Sequence, residues 1–211
     1  MISPAPPIRL HRFALSGHSH RVELFLSLLG LPYELIDTDL PKGAHKSPEF
    51  LAKNPFGQVP VLEDGDITLS DSNAILVYLA MRYDAAGRWL PRDPASAARV
   101  QQWLSISAGQ LAHGPAAARL AVVFGAKVDC DQAKMIAAQL YAVLDAHLAR
   151  ERFLVGAAPT IADIALYSYT AHAPEGGVSL DTYVHVREWL TRIEALPGFV
   201  PMQRTPIQIT A

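Results

Sequence analysis

Cysteine is almost absent from this chain, which has only Cys130 among its 211 residues. A single cysteine cannot build a disulfide framework, and it excludes every Cys-x-x-Cys motif of redox or zinc-binding proteins. No metal site is expected. This cysteine usage fits a reducing compartment, so we expect a cytoplasmic protein.

The chain also lacks a charge bias and a long apolar run. Its 18 basic and 20 acidic residues give a net charge of -2, which does not favour nucleic-acid binding. No unbroken apolar run reaches about 18 residues, so no membrane span is expected. The opening "MISPAPPIRL" has neither the basic nor the apolar region of a secretory signal. Half of the residues are hydrophobic, which indicates a packed globular protein.

The first 83 residues predict a small α/β domain. Stretches that alternate apolar and polar residues are typical of strands, and apolar residues at helical spacing are typical of helices. Asp64-Gly65, between two apolar runs, is a strong hairpin signal. The predicted order is β-α-β-α-β-β-α, with strands at 8–13 and 33–40, helices at 19–29, 47–53 and 71–82, and a hairpin of 60–63 with 67–70.

The rest of the chain predicts only helices. Residues 84–94 have the Gly and Pro content of a linker, and 95–211 form a second domain without a convincing strand. The overall prediction is an α/β domain followed by an all-α domain. The predicted helices of the second domain are 95–120, 131–149, 160–172 and 181–195.

Pro60 stands at the head of an apolar run that otherwise has the pattern of a buried strand. Proline cannot donate to a sheet ladder, so it is expected at a strand's first residue, on an edge or at a bulge. An X-Pro bond can also be cis. A cis Val59-Pro60 bond would leave the backbone of Val59 to pair with an extended ligand, as an added strand does. A trans bond would simply end a loop.

Asp71-Ser72 opens a predicted helix. Ser and Asp are preferred helix caps, and a helix N-terminus also binds anions through its free N–H groups. Such a pair can hold both halves of an amino acid, the ammonium group on Asp71 and the carboxylate on Ser72. As a lone dipeptide it is more often only a cap, but its spacing from Pro60 favours a ligand site.

These features together resemble the cytosolic glutathione transferases, from about Ile8 to Phe199. The resemblance depends on the element order, on "NPFGQVPVL" at 54–62, on "SDSNAI" at 70–75 and on the all-helical second half. It implies a thioredoxin-like first domain, a cis proline at Pro60, glutathione as co-substrate and a homodimer. Phe56 lies where some members insert an aromatic side chain into the partner.

The resemblance also implies which residues bind glutathione. The backbone of Val59 would pair with the cysteinyl unit, while Asp71 and Ser72 would hold the γ-glutamyl end. The family usually has Glu where this chain has Asp71, and the shorter side chain weakens the case for a direct ammonium contact. The full set is Gln58, Val59, Pro60, Asp71, Ser72, His45 and Lys46.

The segment "ALSGHSHRVEL" at 14–24 corresponds to the place where the family sets a donor against the glutathione sulfur. Ser16 is the first catalytic candidate. Gly17 replaces the proline that usually follows such a serine, and Arg21 comes five positions after Ser16. That spacing resembles bacterial relatives with a Thr-Pro-Asn run, which makes His18 a second candidate, as a donor or as a proton acceptor with a pKa near neutrality.

Other residues of the first domain have structural interpretations. We expect Ser19 to be the N-cap of the first helix rather than the donor. His11 and His20 are interpreted as surface or packing residues, and Tyr33 as a core residue.

The family's helical domain supplies the pocket for the acceptor substrate. Residues at helical intervals that could face this pocket are Trp103, Ser107, Leu111, Gly114 and Arg119, although for Trp103 and Leu111, each taken singly, a core position is slightly favoured. Thr160 with Asp163 three residues later forms a capping box, whose role would be in folding.

Three functions remain open from the sequence. The first is a transferase whose glutathione thiolate attacks a small hydrophobic electrophile. The second is a glutathione-dependent disulfide or peroxide reductase without an active-site cysteine, and the third is a glutathione-binding protein without turnover.

Overall fold

A four-stranded mixed sheet forms the centre of the first half of the computed structural model, which describes residues 7–206. The strand order is β2-β1-β3-β4, with β1 parallel to β2 and antiparallel to β3, and β3 antiparallel to β4. The elements in chain order are β1 (Ile8–Arg12), α1 (Gly17–Leu28), β2 (Tyr33–Asp37), α2 (Pro48–Lys53), β3 (Val61–Asp64), β4 (Ile67–Ser70) and α3 (Ser72–Tyr83). This is the predicted β-α-β-α-β-β-α order of a thioredoxin-like domain.

The second half is helical, as predicted. Its elements are α4 (Pro94–Ile106), a π-helical segment (Ser107–Ala116), α5 (Ala117–Phe124), α6 (Cys130–Leu148), α7 (Ile161–Ala171) and α8 (Val184–Glu194). The fold class predicted from the sequence, α/β followed by all-α, is confirmed. No helix between residues 7 and 206 is both long and apolar enough to cross a membrane.

Helix α7 is the central helix of the molecule. Every residue from Ile161 to Thr170 is buried, because α1, α3, α4 and α8 all pack against it. The contact with α1 joins the two halves of the chain. It also brings the end of α7 close to the turn that precedes α1.

The capping box at the start of α7 is confirmed. The Thr160 side chain accepts the backbone N–H of Ala162, and Asp163 accepts the backbone N–H of Thr160 at 2.8 Å. Asp163 is fully buried and also accepts from the backbone of Leu154 and the indole N–H of Trp189. This carboxylate therefore holds three segments of the helical half together.

Two predicted helices near the site differ from the observed ones. Helix α1 begins at Gly17, and its N-cap is Ser16, whose hydroxyl accepts the Ser19 N–H at 3.2 Å. Ser19 is buried and its hydroxyl accepts the Phe13 N–H instead. The single helix predicted over 95–120 is interrupted by the π-helical segment, which contains Pro115. Proline lacks the N–H that an uninterrupted α-helix needs.

Candidate functional site

A cavity of about 700 Å³ is lined by residues of both halves of the molecule. One wall comes from the loops at the edge of the sheet and the other from the π-helical segment, α5 and α7. The residues predicted for catalysis and glutathione binding all line it, namely Ser16, His18, His45, Lys46, Gln58, Val59, Pro60, Asp71 and Ser72.

The loop before β3 is held by its own polar contacts. The Val59-Pro60 bond is cis, and the Asn54 side chain donates to the Gln58 carbonyl at 2.8 Å. Gly57 has a φ of +59°, and a Cβ there would lie 2.7 Å from the His45 carbonyl oxygen. Only glycine fits this position without displacing the backbone, so the close approach of two loops shapes the cavity wall.

The start of α3 is arranged around Asp71 and Ser72. Asp71 has a φ of 70°, and its carboxylate accepts the Ala74 N–H at 2.8 Å. The Asp71 side chain is exposed, whereas Ser72 is buried beneath it. Both residues line the cavity, so an acidic side chain and a helix N-terminus face the same space.

Ser16 stands at the N-terminus of α1. Its hydroxyl oxygen is the acceptor in the capping bond with Ser19, which leaves the hydroxyl proton available to another acceptor. The free N–H groups of the first helical turn give this end of α1 a partial positive charge. A thiolate at this position would therefore meet a hydroxyl donor and a favourable helix terminus.

His18 is neutral at physiological pH. Burial, with a further contribution from the Arg21 charge, lowers its pKa to about 3. The interpretation of His18 as a proton acceptor with a pKa near neutrality is therefore wrong. Its Nδ1 lies 3.2 Å from the Ser72 hydroxyl oxygen, so His18 connects the start of α1 with the start of α3.

Arg21 is a buried charge beneath the site that sequence reasoning did not place among the functional residues. Its guanidinium donates to the Ser72 hydroxyl oxygen at 3.1 Å and to the Asn73 side chain at 2.8 Å. Burial lowers the pKa of Arg21 to about 10, so it stays charged at pH 7. In the sequence, only the spacing of Arg21 from Ser16 indicated that Arg21 belongs to the site.

Arg119 lines the cavity from the helical half and holds the turn that carries Ser16. It is buried, and it donates to the Leu15 carbonyl at 2.8 Å and to Glu175 at 2.7 Å. Because Leu15 directly precedes Ser16, Arg119 fixes the backbone next to the candidate catalytic residue.

The four other residues that could have faced the acceptor pocket, Trp103, Ser107, Leu111 and Gly114, do not line the cavity. Trp103 is buried and donates its indole N–H to the Leu154 carbonyl, and Ser107 donates to the Ala165 carbonyl. Leu111 is fully buried, and Gly114 packs against the backbone of Ala137 on α6. This face of the helices is turned toward α6 and α7, so the prediction of Trp103, Ser107 and Leu111 as pocket residues is wrong.

Apart from Arg119, the helical wall of the cavity is made of residues that the helical spacing did not select. The interruption of the helix by the π-helical segment changes which residues share a face. Among the residues that sequence reasoning missed, Tyr169 is the polar one. The wall consists of Ala112, Ala116, Leu120, Phe124 and Tyr169, together with Arg119.

Comparison with known proteins places the chain in a family. Residues 7–81 match the family model "Glutathione S-transferase, N-terminal domain", and residues 109–197 match "Glutathione S-transferase, C-terminal domain". The chain belongs to the glutathione S-transferase family, which is a family of enzymes.

Several individual proteins are similar over nearly the whole chain. "Glutathione S-transferase 3" of Zea mays is 37% identical over 203 residues, which are 92% of this chain and 91% of the relative. "Glutathione S-transferase 2" of Anopheles gambiae is 36% identical over 185 residues, 87% of this chain and 88% of the relative. The crystal structure of a glutathione S-transferase from Pseudomonas fluorescens superimposes with a TM-score of 0.87 at 33% identity, covering 94% of this chain and 100% of that one.

Proposed function

We propose that this protein is a glutathione transferase that ionises the glutathione thiol beside Ser16, so that the thiolate attacks a small hydrophobic electrophile and the electrophile's carbon group is transferred to the glutathione sulfur. The observation that carries the proposal is the position of the Ser16 hydroxyl. It lies at the N-terminus of α1 with its oxygen occupied by the capping bond and its proton available. It shares the cavity with the loop and helix start that are suited to a small acidic peptide.

Glutathione would occupy the polar side of the cavity. The Val59 backbone would pair with its cysteinyl unit, and the N-terminus of α3 would bind the γ-glutamyl carboxylate at Ser72. Asp71 would face the ammonium group. Gln58, His45 and Lys46 would lie along the rest of the peptide.

Ionisation of the thiol is within reach of this site. A free thiol has a pKa of about 8.5, and lowering it by two units requires about 2.7 kcal/mol of preferential stabilisation of the thiolate. One hydrogen bond to a charged acceptor contributes about 1.5–3 kcal/mol, and the helix terminus adds to this. His18, neutral at pH 7, would serve as a further N–H donor rather than as a base.

The transfer itself needs an apolar surface beside the sulfur. The thiol releases its proton to solvent, the thiolate attacks an electrophilic carbon with its electron pair, a C–S bond forms, and the leaving group departs with the pair of the broken bond. Phe13, Leu15, Leu120 and Phe124 line the part of the cavity suited to such a compound. The donors that ionise the thiol remain in place when the leaving group departs.

The test is a pH titration of the bound thiol, followed by ultraviolet thiolate absorbance in wild type and Ser16→Ala. We expect the wild-type pKa to lie at least one unit below the free value of about 8.5, and Ser16→Ala to return it toward that value. Ser47→Ala is the matched control, because Ser47 caps α2 in the same way and does not line the cavity. If wild type bound glutathione with the thiol pKa unshifted from its free value, the proposal would be refuted.

Two further parts of the proposal concern the alternatives and the assembly. Cys130 is half-buried at the start of α6 and is not among the cavity residues, so a reductase would have to work without it. Activity on a small disulfide but none on an aryl halide would favour that alternative.

We also propose a cytoplasmic homodimer in which Phe56, 79% exposed, contacts the partner, and sedimentation as a monomer would contradict this.

A further inference from the structure

Tyr169 brings a second hydroxyl group to the place where Ser16 stands. It lies near the end of α7, where this helix packs against α1. Its ring covers Gly17 so closely that a Cβ on Gly17 would lie 2.8 Å from the ring carbon that bears the hydroxyl. Glycine at position 17 therefore lets the phenol reach the N-terminus of α1.

The surroundings of the phenol oxygen belong to the candidate active site. Burial has the largest effect on the phenol and raises its pKa, while the His18 backbone and the Ser16 side chain act on it as hydrogen-bonding groups that lower its pKa. The His18 ring packs edge-on against the Tyr169 ring at 5.0 Å between ring centroids. Tyr169 lines the cavity together with Ser16 and His18. Two elements that are distant in sequence, the N-terminus of α1 and the end of α7, thus bring the two hydroxyl-bearing residues to the same cavity.

Several other tyrosine hydroxyls of the described chain have surroundings that differ from those of Tyr169. Tyr78 and Tyr83 donate to Asp64, and Tyr167 donates to Glu194. Tyr141 has a hydroxyl that is sealed in the core without a partner. Tyr183 donates to the Ala138 carbonyl. The Tyr169 hydroxyl donates to no carboxylate among residues 7–206, and Tyr169 lines the cavity that holds Ser16 and His18.

The phenol is protonated at neutral pH. Burial raises the pKa of Tyr169, and the Arg21 and Arg119 charges only partly oppose this. A protonated phenol that opens onto a cavity is a hydrogen-bond donor.

We propose that Tyr169 is a second catalytic donor that hydrogen-bonds directly to the glutathione sulfur beside Ser16. The inference rests on the proposed function, because it assigns a further residue to the same thiolate. A thiolate accepts several hydrogen bonds, so the two hydroxyls would stabilise it together. Neither residue would be solely responsible for the shift of the thiol pKa.

The experiment is a double-mutant cycle with Tyr169→Phe, Ser16→Ala and the combined variant. The pKa of bound glutathione is measured by ultraviolet absorbance, and glutathione affinity by calorimetry. Tyr169→Phe keeps the ring over Gly17, so the thermal midpoint should change little. We expect it to raise the bound thiol pKa by about one unit in wild type and again in the Ser16→Ala background.

Tyr167→Phe is the matched control on the same helix. It removes a phenol hydroxyl that donates to Glu194 at 3.0 Å, outside the cavity. This variant should leave the bound thiol pKa at the wild-type value.

Two results would overturn the inference while leaving the proposed function intact. An unchanged thiol pKa in Tyr169→Phe would assign the phenol to packing alone. A shift that disappears in the Ser16→Ala background would mean that Tyr169 acts only through Ser16. A wild-type thiol that binds without any shift would instead refute the proposed function, and the role of Tyr169 with it.

Discussion

Asp71 holds a backbone conformation that is uncommon for a residue with a side chain. Its φ of 70° and ψ of 116° are of a kind that costs about 1–3 kcal/mol and clusters at ligand-binding sites. The carboxylate caps α3 and stays exposed at the cavity. Recognition of the glutathione ammonium group would give this strained position a function beyond capping.

Asp71→Asn separates the two roles of this side chain. Asparagine caps helices as well as aspartate does and tolerates positive φ, so thermal stability should be nearly unchanged. Loss of the charge should weaken glutathione binding by about tenfold, as expected for one hydrogen bond to a charged group. Calorimetric titration with glutathione measures this loss.

The control for Asp71→Asn is a glutathione analogue without the α-amino group. This ligand cannot use a carboxylate at position 71, so wild type and variant should bind it equally. An equal loss of affinity for the analogue would show that Asp71 acts by shaping α3, not by contacting the ammonium group.

At the scale of elements, the sequence correctly predicted the features that depend on residues close together in the chain. The hairpin across Asp64-Gly65 joins β3 to β4, and the spacing of Thr160 and Asp163 predicted the capping box. Each depends on residues a few positions apart, so a single sequence is sufficient.

Features that depend on distant segments were missed or misplaced. The neutral state of His18 follows from burial and the Arg21 charge, which helical spacing does not reveal. The helical spacing predicted the wrong residues for the acceptor pocket for two reasons. Trp103 on α4 points into the core, and the π-helical segment changes which of the following residues share a face. Tyr169 reaches Gly17 only through the packing of α7 on α1, for which the sequence has no signal.

Asp163→Ala tests the structural role of the capping box. The buried carboxylate accepts from the backbones of Leu154 and Thr160 and from the indole of Trp189. Removing it leaves buried donors unpaired, so we expect a loss of about 3 kcal/mol or more in the free energy of unfolding. Urea unfolding measures the loss, and glutathione affinity per folded molecule should not change.

Asp129→Ala is the comparison for Asp163→Ala. Asp129 caps α6 by accepting the Gln132 N–H at 3.0 Å, but it is exposed. Its loss should cost about 1 kcal/mol. Equal costs for the two variants would mean that the buried contacts of Asp163 contribute nothing beyond an ordinary helix cap.

At the scale of the whole molecule, one buried carboxylate connects the last described segment to the active-site turn. Glu175 accepts from Arg119 at 2.7 Å, from His172 at 2.6 Å and from the Thr205 hydroxyl at 2.6 Å. Arg119 in turn donates to the Leu15 carbonyl. A chain of hydrogen bonds therefore links Thr205, through Glu175 and Arg119, to the turn that carries Ser16.

Arg119→Lys should break this connection at the active-site turn. A lysine ammonium has no planar fork and cannot replace both the Glu175 and the Leu15 bonds. Buried, it should lower stability by about 3 kcal/mol. With Leu15 no longer held, Ser16 loses its fixed position, so the bound thiol pKa should rise and kcat/KM should fall by about tenfold.

Thr205→Val is the control that lowers stability but keeps the hydrogen bond from Arg119 to Leu15. Valine matches the shape of threonine but removes one hydrogen bond to Glu175, at a cost of about 1–3 kcal/mol. The bond from Arg119 to Leu15 is untouched, so the thiol pKa should stay at the wild-type value while the thermal midpoint falls. If both variants shifted the thiol pKa in proportion to their loss of stability, general loosening would explain the data. If only Arg119→Lys shifted the thiol pKa, the hydrogen bond from Arg119 to the Leu15 carbonyl would be the contact through which the helical half positions Ser16.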